Sequence, residues 1–339
     1  MLKGASTAKN LYLILPLFLL IAHVSCSRKA DKEESRKYLR AFDAEISNHT
    51  RKIVGSRSFE AIRKLLYLPG TPLPMISHNI KLSPDSITAY SLEKASGCYS
   101  FDAQNQQWFS TKAGTDSIPL QLLFNDREGD ALEFQLLEYT ESVSALGMTI
   151  PTRMKARLLD TKHQLLGLEY RSTLREGFPE EAWLKLNLAA YECNFELSTK
   201  FTGRKSADVE IQLLISKDNT QLIRSMLSAE TTIGDHGTLY YNNLSATIEA
   251  FPLRVSLQSD YSAEKMARND FFDNWNKLSS IQVKTQEGVL LGNIMVRRLP
   301  DSDRINLMMH YNDGSEENLE ELMLLIKAIL NVKIVHYSD

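Results

Sequence analysis

The cysteines offer the most reactive side chains of this chain, at positions 26, 98 and 193. No two of them are separated by two residues, which excludes the Cys-x-x-Cys pattern of thiol redox centres and of structural zinc sites. Cys98 and Cys193 are either two separately buried thiols or the two halves of one disulfide. That disulfide would close a long loop and stabilise the fold by roughly 4–5 kcal/mol in the chain-entropy model.

The histidines show no spacing suited to a metal. After the apolar start of the chain, none of them lies at position i+4 from another, the spacing with which a helix presents two imidazoles to one ion. We expect each of them to be a surface or packed imidazole, although a Cys98–His–Asp nucleophilic site would assemble only in three dimensions. The histidines in question are His49, His78, His163, His236, His310 and His336.

Carboxylates are plentiful, but no spacing singles out a catalytic pair of the glycosidase type. Glu138, Glu141 and Glu169 are candidates for such a pair only because they are acidic. Residues 125–130 have an acidic spacing faintly like a calcium loop, which Arg127 does not fit. Phosphate-binding glycine loops, serine nucleophile elbows and zinc-protease helices are absent from the sequence. The sequence therefore predicts no catalytic residue, no metal site and no cofactor.

Aromatic residues could form a platform for stacking sugars, or they could belong to the core. Aromatic residues in strands usually pack in the interior, so we predict that these aromatic residues belong to the core. The aromatic residues in question are Tyr99, Phe101, Trp108, Phe109, Trp183, Tyr240, Tyr241 and Trp275.

The segment from Met1 to Cys26 has the three parts of a secretory signal. Lys3 and Lys9 form the basic start, positions 11–22 are apolar, and the small Ser25 precedes Cys26. The apolar run is shorter than the about 20 residues of a membrane-spanning helix. A small residue followed at once by cysteine resembles the lipobox of bacterial lipoproteins. This resemblance implies a signal peptide over residues 1–25 and lipid on Cys26, the first residue of the mature chain.

Residues 26–37 are charged and lack large apolar side chains, so we predict that they form a tether rather than part of the fold. Ser27 stands where an aspartate retains enteric lipoproteins in the inner membrane, and the resemblance therefore implies the outer membrane. Arg28 and Lys29 replace the acidic residues that direct surface export in Bacteroidota. The sequence does not decide whether the lipid anchor lies in the periplasmic or in the cell-surface leaflet.

The remaining composition is that of an ordinary globular protein, with 43% hydrophobic and 24% charged residues. The net charge of −3 lacks the basic footprint of a nucleic-acid-binding protein. The partners that we predict are the membrane, through the lipid, and a lipid, glycan or envelope-protein ligand.

Residues 38–258 are predicted to form a helical lead-in and an antiparallel β domain. Leu39, Phe42 and Ile46 recur at helical spacing, and Ser58 could cap a second helix that ends near Leu68. From about residue 87, apolar and polar residues alternate between turn signals, which is typical of antiparallel strands with one wet face. Helical crossovers are missing there, which disfavours a parallel sheet.

Residues 259–339 are predicted to form an α-β-β-β-α segment packed on the same domain. Its helices are predicted near 262–278 and over 316–330, the last one capped by Ser315. The predicted fold class is α+β and dominated by β structure. It is a large, mostly antiparallel sheet or a partly closed barrel, with helices at the N-terminus, near 262–278 and at the C-terminus.

A second resemblance rests on short motifs at the two ends of this region. Gly97, Tyr99, Phe101, Asp102 and Trp108 are similar to the opening of a broad group of uncharacterised Bacteroidota lipoproteins. The run 311–322, with its Tyr-Asn-Asp-Gly-Ser turn, resembles their final strand, turn and helix. The resemblance implies a lineage shared with this group and identifies no catalytic residue.

Two classes of function follow. The first is a non-enzymatic binding or structural lipoprotein of the outer membrane. A variant of it is a sheet wrapped around an apolar cavity, as in periplasmic lipoprotein carriers, because runs such as 122–124 and 213–215 are apolar on both faces. The second is a hydrolase of cell-envelope polymers with a carboxylate or Cys–His site. The lack of a catalytic constellation favours the first class.

Overall fold

The computed structural model describes residues 28–73, 92–112, 115, 118–143, 149–161, 163–203, 206–233, 239–260, 271–298 and 305–323. The helices are α1 (Lys32–Val54), α2 (Arg57–Tyr67), α3 (Leu92–Ala95), α4 (Phe271–Leu278) and α5 (Leu319–Leu322). The strands are β1 (Gly97–Asp102), β2 (Gln107–Lys112), β3 (Leu120–Asn125), β4 (Ala131–Val143), β5 (Thr149–Asp160), β6 (Gln164–Arg175), β7 (Phe178–Leu188), β8 (Tyr191–Phe201), β9 (Ser206–Lys217), β10 (Thr220–Ile233), β11 (Leu239–Ala250), β12 (Leu253–Ser259), β13 (Ser279–Thr285), β14 (Leu290–Arg298), β15 (Ile305–Tyr311) and β16 (Glu316–Asn318).

The described strands form one open sheet in which strand order follows the chain from β16 to β3. The mostly antiparallel sheet predicted from the sequence is confirmed. Among the described strands the sheet ends at β16 on one side and at β2 on the other, so the open form is observed rather than the partly closed barrel. One pair, β1 and β3, runs parallel, which is compatible with the predicted, mostly antiparallel sheet. No helical crossover is needed there, because the hairpin strand β2 returns the chain on the outer side of β1.

Register divides the side chains of each strand between two faces, since directly paired residues point to the same side. On one face, Ala156, Leu168, Leu186, Cys193 and Ile215 form a continuous row across β5–β9. We call this side the apolar face. Its opposite, the polar face, carries the intervening row of Lys155, Glu169, Lys185 and Asn194.

Helix α1 lies on the apolar face and runs across the strands. At its start Lys29 pairs with Leu290 of β14, and near its end His49 Nδ1 lies 3.0 Å from the hydroxyl of Tyr191 on β8. A helix of 23 residues is about 34 Å long. This length matches the roughly 29 Å between β14 and β8 at a strand spacing of about 4.8 Å.

Local chemistry explains where α1 and α2 begin. The carboxylate of Asp31 accepts a hydrogen bond from the Glu34 amide and caps α1, whose first turn is acidic and last turn basic. Ser56 caps α2 by accepting from the Phe59 amide. The predicted cap, Ser58, lies instead inside α2 and is buried.

Buried residues form two clusters at opposite ends of the apolar face. In the first, Ala61 and Leu65 of α2 pack with residues of β3–β6, such as Leu158. In the second, Leu39 of α1 packs with residues of β12–β15, such as Leu291. Neither cluster includes a residue of β8–β11, where the apolar side chains are mostly half-buried. The two ends of the sheet therefore hold the core.

The tether predicted over residues 26–37 is wrong from residue 28 onward. The backbone of residues 28–30 pairs with Leu290, and α1 begins at Lys32. The Ser35 hydroxyl donates to the Leu291 carbonyl at 3.0 Å. Backbone pairing and small buried side chains such as Ala30 hold this segment, so it needs no large apolar residue.

The C-terminal elements also differ from the prediction. Ser315 does not cap a helix, because residues 316–318 form β16 and Asn318 caps the short α5. The rest of that predicted helix, and the first part of the helix predicted near 262–278, lie outside the described residues. The boundary predicted between 258 and 259 falls within β12, which pairs with both β11 and β13. Both predicted segments thus contribute to one sheet.

No helix among the described residues is both long and apolar enough to cross a membrane.

Candidate functional site

A groove of about 650 Å³ lies on the polar face of β5–β9. One row of side chains in continuous register forms its floor, with neighbours one strand apart. At about 4.8 Å per strand the row spans roughly 19 Å. The row consists of Arg153, Arg171, Trp183, Glu196 and Gln212.

A second row borders the first toward the loop that joins β6 to β7. It contains Thr173, Glu181, Ser198 and Glu210, again paired in register from strand to strand. The half-buried indole of Trp183 therefore lies among hydroxyl and carboxylate groups on its own face of the sheet. The groove thus offers one apolar ring for stacking and several polar groups for hydrogen bonds.

Charge is divided along the groove. Arg153 and Arg171 lie on β5 and β6, whereas Glu181, Glu196 and Glu210 lie on β7, β8 and β9. Trp183 is placed between the basic and the acidic halves, because it pairs with Arg171 on one side and Glu196 on the other. A ligand lying along the floor would meet cations first, then the indole, then carboxylates.

Two charges at the basic end are already engaged. Arg153 Nη1 lies 3.4 Å from a carboxylate oxygen of Glu138, and Lys155 Nζ lies 2.8 Å from Glu169. The hydrogen bond from Lys155, reinforced by the positive charges of Lys155 and Arg171, holds the pKa of Glu169 below its ordinary value. Glu169 is therefore a fixed carboxylate at neutral pH rather than a proton donor.

The acidic half of the groove differs, because its carboxylates have no such partners among the described side chains. Within the part of the chain that the structure describes, Glu181, Glu196 and Glu210 make no side-chain hydrogen bond or ion pair. All three are exposed. Their oxygens are acceptors that a bound hydroxyl or amine could satisfy.

Trp183 was predicted to belong to the core, and that prediction is wrong. The alternation of β7 places it on the same face as Lys185 and Asn187. This signal is present in the sequence, since Trp183 shares its parity with two polar residues and not with the intervening leucines. The parity of its neighbours, rather than its aromaticity, assigns Trp183 to the polar face.

Three of the other aromatic residues are core residues, as predicted. Tyr99, Phe101 and Trp108 pack against the first cluster. Phe109 is 47% exposed on the edge strand β2, and Trp275 is half-buried. The side chains of Tyr240 and Tyr241 lie outside the described residues.

The proposed disulfide is not formed. Cys98 and Cys193 are both free thiols, on β1 and β8. These strands are six places apart in the sheet, about 29 Å at the usual spacing, whereas the Cα atoms of a disulfide lie within about 7 Å. Burial raises the pKa of the Cys193 thiol, which disfavours the nucleophilic thiolate.

The histidines described by the structure do not converge. His49 Nε2 lies 2.9 Å from Glu45, His163 is exposed beside Asp160, and His310 contacts Glu316 across the edge of the sheet. His78, His236 and His336 lie outside the described residues. Among the described residues no group of three histidine, cysteine or acidic side chains could hold a metal ion.

The three carboxylates considered from the sequence do not form a facing pair. Glu138 and Glu169 both lie on the polar face but are separated by β5, and each is bound to a cation. Glu141 accepts a hydrogen bond of 2.7 Å from the hydroxyl of Tyr139 on its own strand. The carboxylates around Trp183 were not singled out from the sequence.

No family model, curated protein or solved structure matches the chain.

Proposed function

We propose that this protein is a non-enzymatic binding lipoprotein of the outer membrane, anchored by lipid on Cys26, and that its groove holds a glycan chain. One observation carries the proposal. A half-buried indole, Trp183, lies in an open groove whose lining also includes three carboxylates that have no partner among the described residues.

The chemistry of a sugar fits these groups. One face of a pyranose ring presents C–H groups, which pack on the flat surface of an indole. The hydroxyls around the ring edge are donors, and carboxylate or amide oxygens such as those of Glu196 and Gln212 are acceptors. Strand pairing already orders the backbone that carries these side chains, so binding has to order only the side chains themselves.

The groove suits a segment of polymer better than a small enclosed ligand. Its floor crosses five strands and stays open to solvent along the sheet. The roughly 19 Å of its main row accommodates several linked rings. A chain could therefore enter and leave at both ends of the row.

Charge predicts which glycans bind. The basic end is partly neutralised by Glu138 and Glu169, whereas the carboxylates near Trp183 are unpaired within the described chain. A ligand with free amines would complement the acidic half, and a uronic-acid chain would be repelled there. We expect amine-bearing or neutral oligosaccharides to bind and polyuronates to bind weakly.

Binding without hydrolysis is the favoured form of this function. A glycosidase needs one carboxyl group that stays protonated near neutral pH, which requires a raised pKa. Glu169, the carboxylate of the groove with the best-defined partner, has a lowered pKa because of Lys155. The lipid-carrier variant has less support, because α1 and α2 already pack on the apolar face.

The test uses the acylated full-length protein in detergent and calorimetric titration with four tetrasaccharides. These are cellotetraose, chitotetraose, its fully deacetylated form and tetragalacturonate. We expect the deacetylated chain to bind most tightly, and Trp183→Ala to weaken that binding at least tenfold. Phe109→Ala is the matched control, since Phe109 is exposed but lies on β2, outside the groove.

Three results would contradict the proposal. The first is that none of the four sugars binds, and the second is binding that Trp183→Ala leaves unchanged. The third is chromatographic evidence that the protein cleaves a sugar that it binds, which would support the hydrolase instead. The anchor is tested separately by mass spectrometry of the N-terminal peptide, which must carry acyl chains on Cys26.

A further inference from the structure

Very few residues separate the expected lipid anchor on Cys26 from the point at which the chain pairs with the sheet. The carbonyl of Arg28 accepts a hydrogen bond from the Leu290 amide at 3.0 Å, and the Ala30 amide donates to the Leu290 carbonyl at 2.9 Å. Asn312 on the next turn donates to the Ala30 carbonyl at 2.9 Å. The chain takes two steps from Cys26 to Arg28, and a chain of that length spans at most about 7 Å. A lipid on Cys26 thus brings the bilayer to the start of α1.

Helix α1 presents a basic stripe on the side away from the sheet. Lys37, Arg40, Arg51 and Lys52 are all exposed, and at about 100° per residue they fall within a sector of about 120°. The opposite side carries Leu39, which is buried in the second cluster. The apolar side of α1 therefore packs on the sheet, and the basic side is exposed.

The cations of this stripe have no acidic partner in the part of the chain that the structure describes. Among the described residues, Lys37, Arg40 and Lys52 have no ion pair, and Arg51 contacts only the Ser47 carbonyl. The neighbouring acids are engaged elsewhere, as Glu33 binds Arg36 and Glu45 binds His49. The small exposed side chains of Ala41 and Ala44 lie between the cations and allow a flat surface to approach the helix.

We propose that the basic stripe of α1, formed by Lys37, Arg40, Ala41, Ala44, Arg51 and Lys52, lies on the anionic headgroups of the anchoring bilayer. This inference rests on the lipid anchor of the proposed function. The bilayer then faces the apolar side of the sheet, and the groove around Trp183 faces away from the membrane. The sheet separates the surface that binds lipid from the one that binds glycan.

The expected strength follows from the charges. A lysine or arginine close to an anionic bilayer increases surface occupancy about fivefold at low ionic strength, so four of them amount to several hundredfold. Concentrated salt shortens the reach of this attraction to a few ångströms. The orientation is therefore expected to be lost in neutral vesicles and at high salt, while the acylated protein stays attached.

The experiment places a fluorophore on the acylated full-length protein and a quencher on the lipid headgroups. Cysteines are introduced one at a time by Ala44→Cys on the stripe and by Ser228→Cys, an exposed position on the polar face, in a background of Cys98→Ala and Cys193→Ala. The vesicles are phosphatidylcholine with a minor fraction of anionic phosphatidylglycerol. We expect quenching at position 44 to exceed that at position 228 several-fold, and to fall at high salt.

A charge-reversal variant tests the stripe itself. K37E, R40E, R51E and K52E combined are expected to remove the difference between the two positions. Reversal of two exposed cations on the polar face, Lys200→Glu and Arg224→Glu, is the control and is expected to leave the difference unchanged. Circular dichroism verifies that both variants fold.

The outcomes separate the two proposals. An acylated protein that floats with the vesicles and is quenched equally at both positions overturns the membrane-facing stripe and leaves the anchor intact. Quenching at position 44 that charge reversal does not change also overturns it. A protein without acyl chains that does not float overturns both the anchor and the orientation that depends on it.

Discussion

The two faces of the sheet are formed by the same strands, yet one face packs into the buried core and the other carries the candidate groove. In β5, Leu158 points to the apolar face and is fully buried, whereas its neighbour Leu159 points to the polar face and is half-buried. In β7, Leu184 and Leu186 lie on the apolar face and Trp183 on the polar one. Residue parity thus separates side chains that hold the fold from side chains that are free to bind.

The strongest test of this comparison is the adjacent pair in β5. Leu158→Ala leaves a cavity in the first cluster and is expected to lower the free energy of unfolding by about 2–5 kcal/mol. Leu159→Ala removes the same atoms from the polar face and is expected to cost less than about 1 kcal/mol. Urea unfolding of both variants measures the difference, and equal losses would mean that the polar face is also core.

A second pair of variants tests whether the centre of the apolar face contributes to stability as its two ends do. Leu213 lies on the apolar face of β9, in register with Phe195, and Leu214 lies on the polar face, in register with Asn194. Both are half-buried. Leu213→Lys is expected to destabilise by about 2 kcal/mol, and Leu214→Lys by less than about 0.5 kcal/mol. Similar unfolding midpoints would show that β8–β11 contribute no core.

A polar group on the apolar face is expected to make stability sensitive to alkali. The Tyr311 hydroxyl donates to Glu317 at 2.7 Å, and burial together with this carboxylate raises the pKa of Tyr311 above its ordinary value of 10.0. A raised pKa in the folded state contributes stability that is complete below the ordinary value and is lost as pH rises further.

The variant Tyr311→Phe is expected to cost about 1 kcal/mol at neutral pH and to unfold with a weaker pH dependence above pH 10. Tyr67→Phe is the control, since Tyr67 is 72% exposed. Thermal unfolding between pH 8 and pH 11 checks the prediction. Parallel curves for the wild type and Tyr311→Phe would contradict it.

The smallest effect is expected from an ion pair on the polar face. Because Lys155 lowers the pKa of Glu169, the pair contributes stability that is present above the ordinary carboxyl pKa of 4.5 and is lost as pH falls through the lowered value. Both side chains are more than one-third exposed, so the effect is expected to stay below about 0.5 kcal/mol. A double-mutant cycle with Glu169→Gln and Lys155→Met, measured at pH 7 and pH 3, gives the coupling energy.

Much of the fold follows from local pattern alone. The alternation of apolar and polar residues predicts the antiparallel strands, and these strands form the sheet. Helical spacing predicts α1 and α2, which Gly55 and Ser56 separate. These features depend on neighbours within a few residues, where side-chain period and turn chemistry act directly.

The candidate site follows from sequence only in part. Trp183 can be assigned to the polar face by parity, but its companions Arg171 and Glu196 come from other strands. Which residues share a row depends on register, and the bulge between Thr173 and Leu174 shifts that register by one residue. A sequence pattern does not specify such a shift, because it arises from the pairing of two strands.

By itself the sequence determined the alternation of the strands, the ends of the first two helices and the absence of local metal or nucleophile motifs. Tertiary structure decided that residues 28–30 pair with β14, that Cys98 and Cys193 lie on distant strands and that the carboxylates of β7–β9 share a groove with Trp183. The reason is physical. Period and capping are local interactions, whereas docking and register are chosen by contacts between segments that lie far apart in the chain.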